Sequence, residues 1–281
     1  MLLLDGKLIA KKVEEELIEE TKQLSEKGIT PKLVTISTVK DESSYSYIKS
    51  QMKVAKRIGI DFELLEVKAD NVFEILSSLN QSKDVHGIMI AHPVDKTLDE
   101  LRVLKSINPE KDVEGRTPEN LGKLMLGKPS FLPCTAEAVV RILTEYSIDT
   151  KGKNITIVGR STTVGKPLSM ILLLKNYNAT VTICHTGTVD LKQHTRNADI
   201  LVVATGKAML INSTHVKEGA VVVDVGINFV DGKLVGDVDF DDVKETVNAI
   251  TPVPGGVGPV TTVLLMKNVV DSAKRIAEDE V

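Results

Sequence analysis

Two kinds of apolar spacing alternate along this chain. Helical spacing, with apolar residues three and four apart, marks "AKKVEEELIEETKQLSEKG" (10–28), "SYIKSQMKVAKRIG" (46–59) and "NVFEILSSLNQ" (71–81). Short β-rich runs separate them: "KLVTIST" (32–38), "DFELLEV" (61–67) and "GIMIAHP" (87–93). A second series follows the helical "AEAVVRILTEYSI" (136–148), with strands at "NITIVG" (154–159), "TVTICH" (180–185), "DILVVAT" (199–205) and "AVVVDVG" (220–226). These runs are almost continuously apolar, as strands buried on both faces of a parallel sheet must be. The pattern predicts an α/β protein: two α/β domains flanking a cleft, the second a Rossmann-like dinucleotide-binding domain. The Gly- and Pro-bearing stretch around 127–135 reads as the joint. Residues 1–136 are expected to form one domain, with 265–281 packing back onto it, and 137–264 the other.

Composition narrows the partners. Of 281 residues 42% are apolar and 26% charged, and the net charge is −4 with no basic block. No electrostatic grip on nucleic acid is expected, and the absence of Trp with only 3% aromatic residues argues against base stacking. No apolar run approaches the length of a membrane span. The opening "MLLLDGKLIAKK" is too short in apolar residues for a signal peptide. Cys134 and Cys184 are far apart and read as reduced thiols of a cytoplasmic protein. His86, His185, His194 and His215 have no metal-ligand spacing, so no metal is expected.

Chemistry concentrates in a few stretches. In "ITIVGRSTTVGKPLSM", Gly159 ends a strand and Gly165 opens a helix, the order in which a glycine turn brings backbone N–H groups to a pyrophosphate. Ser161 stands where the usual fingerprint has a second glycine. Such turns are often purely structural; three further buried strands favour the nucleotide reading. The next strand ends "TICHTGT", without the acidic residue that binds the ribose of NAD. Arg160 offers a guanidinium to a 2′-phosphate, which favours NADP and leaves NAD possible.

"ITPVPGGVGPVTTVLL" (250–265) packs three prolines and three glycines into eight residues. Together with "GRSTTVGKP", "DVGIN", "GDVDF" and "FLPCT" it resembles the methylenetetrahydrofolate dehydrogenase/cyclohydrolase (FolD) family over nearly the whole chain. The resemblance implies a tetrahydrofolate-type substrate, hydride transfer from the methylene bridge to NADP, hydrolysis of the methenyl product, and a homodimer. It places Tyr47, Gln51 and Glu114 in the catalytic site, and Tyr47, Ala91, Glu114, Pro254, Gly255 and Gly256 against the substrate. It assigns Gly159, Arg160, Ser161, Gly165, Thr186, Gly226, Ile227 and Gly256 to the cofactor.

The pocket departs from the family at three polar positions. Within "SYSYIKSQ" (44–51), Tyr47 aligns with the tyrosine that stacks on folate, and Gln51 stands where the family has its catalytic lysine. "AHPVDK" puts Ala91 at a glutamine position, and "KDVEG" puts Glu114 at an aspartate position. On the cofactor side, Thr186 and Gly187 replace a serine and a cation. A shifted register would instead pair Tyr45 with Lys49, at the expense of two compensating gaps. Glutamine does not titrate in the working range, so the expected enzyme is an NADP-dependent dehydrogenase with weak or lost cyclohydrolase activity. The alternatives are the ordinary bifunctional enzyme and a degenerate relative that binds without turnover. His92, next to Ala91, is a second candidate proton carrier, although strand alternation turns the two to opposite faces.

Overall fold

In the computed structural model residues 1–278 are described, the side chains of 42 and 43 excepted. The first elements are β1 (Leu2–Leu3), α1 (Gly6–Glu26), β2 (Lys32–Ser37), α2 (Glu42–Ile58), β3 (Asp61–Glu66), α3 (Val72–Gln81) and β4 (Gly87–Ile90). Then come α4 (Glu100–Lys105), α5 (Pro118–Met125), α6 (Cys134–Glu145), β5 (Asn154–Val158), α7 (Gly165–Leu172), β6 (Thr180–Cys184), α8 (Leu191–Thr195) and β7 (Ile200–Val203). The chain closes with β8 (Val221–Asp224), β9 (Asn228–Val230), β10 (Lys233–Val235), α9 (Phe240–Val243), β11 (Ala249–Ile250) and α10 (Val257–Glu278). The seven β-rich runs read from the sequence all form strands.

The chain divides into two compact units, Met1–Ala10 with Pro133–Thr261 and Lys11–Leu132 with Thr262–Val281. In the first unit six parallel strands lie in the order β1-β11-β8-β7-β5-β6. Its core joins Val158, Leu201, Val203, Val222 and Ile250, each at most 3% exposed. β9 and β10 form a separate antiparallel ribbon. The second unit has three parallel strands, β3-β2-β4, packed on α3 and α4 through Val34, Ile36, Leu76, Ile88 and Val103.

The N-terminus is a correction to the expected boundary at 1–136. Leu2 and Leu3 pair in parallel with Ala249 and Ile250. Leu2 N–H donates to Asn248 O at 2.6 Å and Leu4 N–H to Ile250 O at 2.9 Å, and the Leu4 side chain is fully buried. Asp5 N–H donates to the Tyr146 hydroxyl at 2.8 Å. Residues 1–10 therefore belong with the six-stranded sheet, and the division falls inside α1 and α10. The last three positions of the expected first domain, 279–281, lie outside the described residues.

Within the second unit, α10 is tied to the loop between α4 and α5. Asn268 Nδ2 donates to Val113 O and Ser272 Oγ to Glu110 O, both at 2.8 Å. In that loop the buried Lys111 ammonium donates to the carbonyls of Leu79 and Asn80, at 3.0 Å each, and of Ser82, at 2.5 Å. These are the last carbonyls of α3 and the residue after it, which have no partner within the helix. Burial lowers the Lys111 pKa. Lys111→Met should leave three half-buried carbonyls without this donor and lower stability by about 1–3 kcal/mol, read as an earlier urea midpoint. An unchanged midpoint would show that the ammonium contributes nothing to that helix end.

Candidate active site

In the second unit the sequence-predicted residues gather at the carboxyl end of β4. α2 starts at Asp41, whose carboxylate accepts the Ser44 N–H at 2.8 Å, and stops at Gly59 in the left-handed region at φ 91°. Tyr47 and Gln51, four apart on this helix, share a face. Tyr47 keeps 37% of its surface exposed, whereas Gln51 is fully buried. Gln51 Nε2 points at Met89 Sδ, 3.5 Å away, and its Oε1 has no hydrogen-bond partner. Thioether sulfur is a weak acceptor, so this buried amide is poorly satisfied at both ends. Lys49 and Lys53 are exposed, and the Tyr45 hydroxyl bonds the Glu66 carboxylate on β3. The residue turned inward below Tyr47 is thus Gln51, not Lys49.

Ala91 follows β4 and is buried, with its N–H on Ile36 O at 2.9 Å. The loop bearing Glu114 is wound around Asp112. That carboxylate accepts the N–H groups of Arg116 and Thr117, at 3.1 and 2.7 Å, and Asn120 Nδ2 at 2.8 Å. Burial pushes the Glu114 carboxyl up to about 7, although 21% of its side-chain surface remains exposed. The Arg116 charge and the Ile90 backbone oppose the rise, and Asp112 and Glu100 add to it. Gln51 thus meets the Met89 side chain and Glu114 the backbone of the next residue, Ile90, at the end of β4.

Arg116 has no signal in the sequence. Its side chain is 6% exposed, and its guanidinium touches His92 Nε2 and donates to Glu100 Oε1 at 2.7 Å. His92 is the same residue that alternation turned away from Ala91. Burial, then the Arg116 charge, hold its pKa down.

In the first unit the predicted residues line the carboxyl ends of adjacent strands, where open α/β sheets bind ligands. Gly159 has φ +134°, and a Cβ there would stand 2.2 Å from Ala204 O; a Cβ on Gly165 would stand 2.0 Å from Gly159 O. Only glycines allow so tight a turn between β5 and α7. Ser161 Oγ accepts the Val164 N–H at 3.1 Å inside it. Arg160 is exposed and, among the described residues, makes no ion pair. Thr186 lies on the exposed turn after β6. His185 braces that turn, its Nδ1 accepting the Gly187 N–H at 3.0 Å.

Gly226, Ile227, Pro254, Gly255 and Gly256 come together around a small cavity of 170 Å³. Lys7 and Asp224 also line it, two residues that sequence reasoning missed. Asp224 is buried and accepts the N–H groups of Gly226, Asp237 and Val238 at 2.9, 3.0 and 2.9 Å. Burial pushes its carboxyl up to about 6, against the pull of those three N–H groups. Asp237, wholly buried, accepts from Thr205 N–H at 2.5 Å, Gly206 N–H at 2.9 Å and Asn228 Nδ2 at 2.9 Å. Asp224 and Asp237 therefore clamp the strand-end loops.

Comparison with known proteins covers both halves. The catalytic-domain profile of tetrahydrofolate dehydrogenase/cyclohydrolase matches residues 4–114, and the NAD(P)-binding-domain profile of the same family matches 133–277. The bifunctional protein FolD of Thermotoga maritima is 49% identical over 272 residues, covering 97% of this chain and 98% of its own. The solved bifunctional FolD of Campylobacter jejuni is 43% identical with a TM-score of 0.95, over 98% and 99% of the two chains. Trypanosoma brucei FolD, solved with NADP cofactor and an inhibitor, is 35% identical with a TM-score of 0.92, over 98% of each chain. Matched along both halves, in sequence and in fold, the chain belongs to the tetrahydrofolate dehydrogenase/cyclohydrolase family.

Proposed function

We propose that this protein oxidises 5,10-methylenetetrahydrofolate to the methenyl form with NADP+, and that its cyclohydrolase activity is weak or lost. The observation that carries the second half is the fully buried Gln51, whose Oε1 has no partner. The division of labour follows the two compact units. Residues 11–132 with 262–281 carry Tyr47, Gln51, Ala91 and Glu114 for the folate, and residues 1–10 with 133–261 carry the cofactor residues and the Pro254–Gly256 loop.

The residues present fit the cofactor. The turn between β5 and α7 has no room for a side chain at positions 159 and 165, and exposed Arg160 is a cation placed to meet a 2′-phosphate. Gly226, Ile227 and Gly256 border the adjoining cavity. NADP+, when bound, supplies the hydride acceptor. The chain's own task in that step is to orient the substrate. Tyr47 offers an aromatic face for stacking, and ionised Glu114 accepts from the amino and ring N–H donors of a pterin. Assembly as a homodimer and a cytoplasmic location belong to the same reading. Exposed Phe229 and Val230 on the β9–β10 ribbon are apolar surface that an interface would cover, and Cys134 and Cys184 are both buried.

Hydrolysis makes a different demand. Water attacking the methenyl carbon must lose a proton, and the departing ring nitrogen must gain one. Gln51 Oε1 can accept a hydrogen bond from that water but cannot take its proton. Positioned proton transfer is typically worth about 10²–10⁴-fold, so the dehydrogenase step outlasts the hydrolytic one.

Two assays test the reading. The unmodified protein should reduce NADP+ with methylenetetrahydrofolate while hydrolysing methenyltetrahydrofolate near the buffer rate; Gln51→Lys should raise hydrolysis by about 10²-fold or more. Rapid hydrolysis by the unmodified protein would sink the proposal. Loss of the charge in Arg160→Ala should raise KM for NADP+ by about tenfold and leave KM for NAD+ nearly unchanged, since only the former carries the 2′-phosphate. Equal effects on both cofactors would remove Arg160 from the specificity argument.

A further inference from the structure

Arg116 is the buried charge that the proposed reaction leaves without a task. Taking a guanidinium out of water costs several kcal/mol unless partners surround it. Here the partners are ordered. The Arg116 backbone N–H sits on Asp112 Oδ1 at 3.1 Å. One terminal nitrogen donates to Glu100 Oε1 at 2.7 Å, and the other touches His92 Nε2. Arginine has only donors and keeps its charge, so His92 must accept with a bare Nε2 lone pair. The imidazole is thereby fixed in its neutral Nδ1–H form. The same terminal nitrogen lies 3.8 Å from Glu114 Oε2. That is too long for a hydrogen bond and close enough for a strong field.

Glu114 therefore feels Arg116 as a fixed positive charge, anchored from the far side. The other groups around it are Asp112 from the same loop, Glu100 from α4, and the Ile90 backbone with neutral His92 from the end of β4. α10 meets the loop through uncharged Asn268, on Val113 O at 2.8 Å. Both other ionised neighbours are carboxylates. Without Arg116 nothing nearby would favour a negative Glu114 except one backbone group.

We propose that Arg116 is a positioning residue of the folate site: held by Glu100 and His92, its guanidinium keeps Glu114 in the ionised, accepting form that the donor groups of a pterin require. The proposal rests on the reading of Glu114 as the pterin acceptor. Burial places the Glu114 carboxyl near neutrality, so a change in this field alters its occupancy where the enzyme works. Loss of the Arg116 charge raises the midpoint, and loss of the Glu100 charge lowers it.

The test separates the charge from the catalysis. In the full chain without ligand, the Glu114 carboxyl carbon is followed by carbon-13 NMR against pH, assigned through Glu114→Gln. Arg116→Gln should move its midpoint to higher pH, Arg116→Lys should leave it near the original, and Glu100→Gln, at a half-exposed position, should move it to lower pH. A one-unit rise from about neutrality cuts the ionised fraction at pH 7 about fivefold, so KM for methylenetetrahydrofolate should rise about fivefold in Arg116→Gln. That rise should shrink at higher pH, with kcat little changed. A Glu114 midpoint unmoved in folded Arg116→Gln overturns the proposal. So does a shift of the same sign in Arg116→Gln and Glu100→Gln, which would report a general loosening; if Arg116→Gln fails to fold, an unmoved or raised midpoint in Glu100→Gln overturns it alone. A midpoint that moves as expected while KM ignores it overturns the assignment of Glu114 as the pterin acceptor, and with it this use of Arg116.

Discussion

Asp112 accepts two backbone N–H groups and the Asn120 amide within one short loop. That single carboxylate sets where Glu114 and Arg116 can point. It is buried, and its oxygens are satisfied by the donors that converge on it. The Glu114 carboxyl, two residues on, lacks such an array and rises to about 7. The other unit repeats the device. Asp224 and Asp237 are wrapped by N–H groups from three loops and hold the ends of β7 and β8 in place. In both units, a buried acid gathers backbone donors and lets neighbouring residues face outward for chemistry.

The residues proposed to hold folate divide into groups that can and cannot exchange a proton. Gln51 lies deepest and is electrically neutral at every working pH. Glu114 sits nearer the surface and titrates close to neutrality. Orientation can be supplied by either kind of group, whereas proton transfer needs the second. The proposed separation of the two activities rests on this asymmetry. It is a property of side-chain chemistry at one strand end, not of the fold, which matches bifunctional relatives closely.

The long apolar strands were legible because burial on both faces leaves a continuous run, as in β5, β7 and β8. β1 and β11 were not, since two residues cannot display a period. The face shared by Tyr47 and Gln51 followed from their four-residue spacing, a helical regularity, whereas the burial of Gln51 did not. Arg116 was illegible for the opposite reason. Its burial depends on Glu100, 16 residues earlier, and His92, 24 residues earlier, and no local pattern announces such a meeting. Asp224 and Asp237 were visible as motifs, yet only their converging N–H donors reveal that they brace loops.

The pairing of Leu2 with Ala249 has a consequence for how the protein is made. A chain leaves the ribosome from its N-terminus, so the edge strand β1 is synthesised before the sheet's other strands and its neighbour β11 after them. Residues 11–132 emerge in between and already contain all three strands of the smaller sheet. That sheet can assemble while the leading residues still wait. The nucleotide-binding sheet therefore closes only after all its other strands have been made, and a chain cut before β11 would present its unpaired β8 edge to the cell.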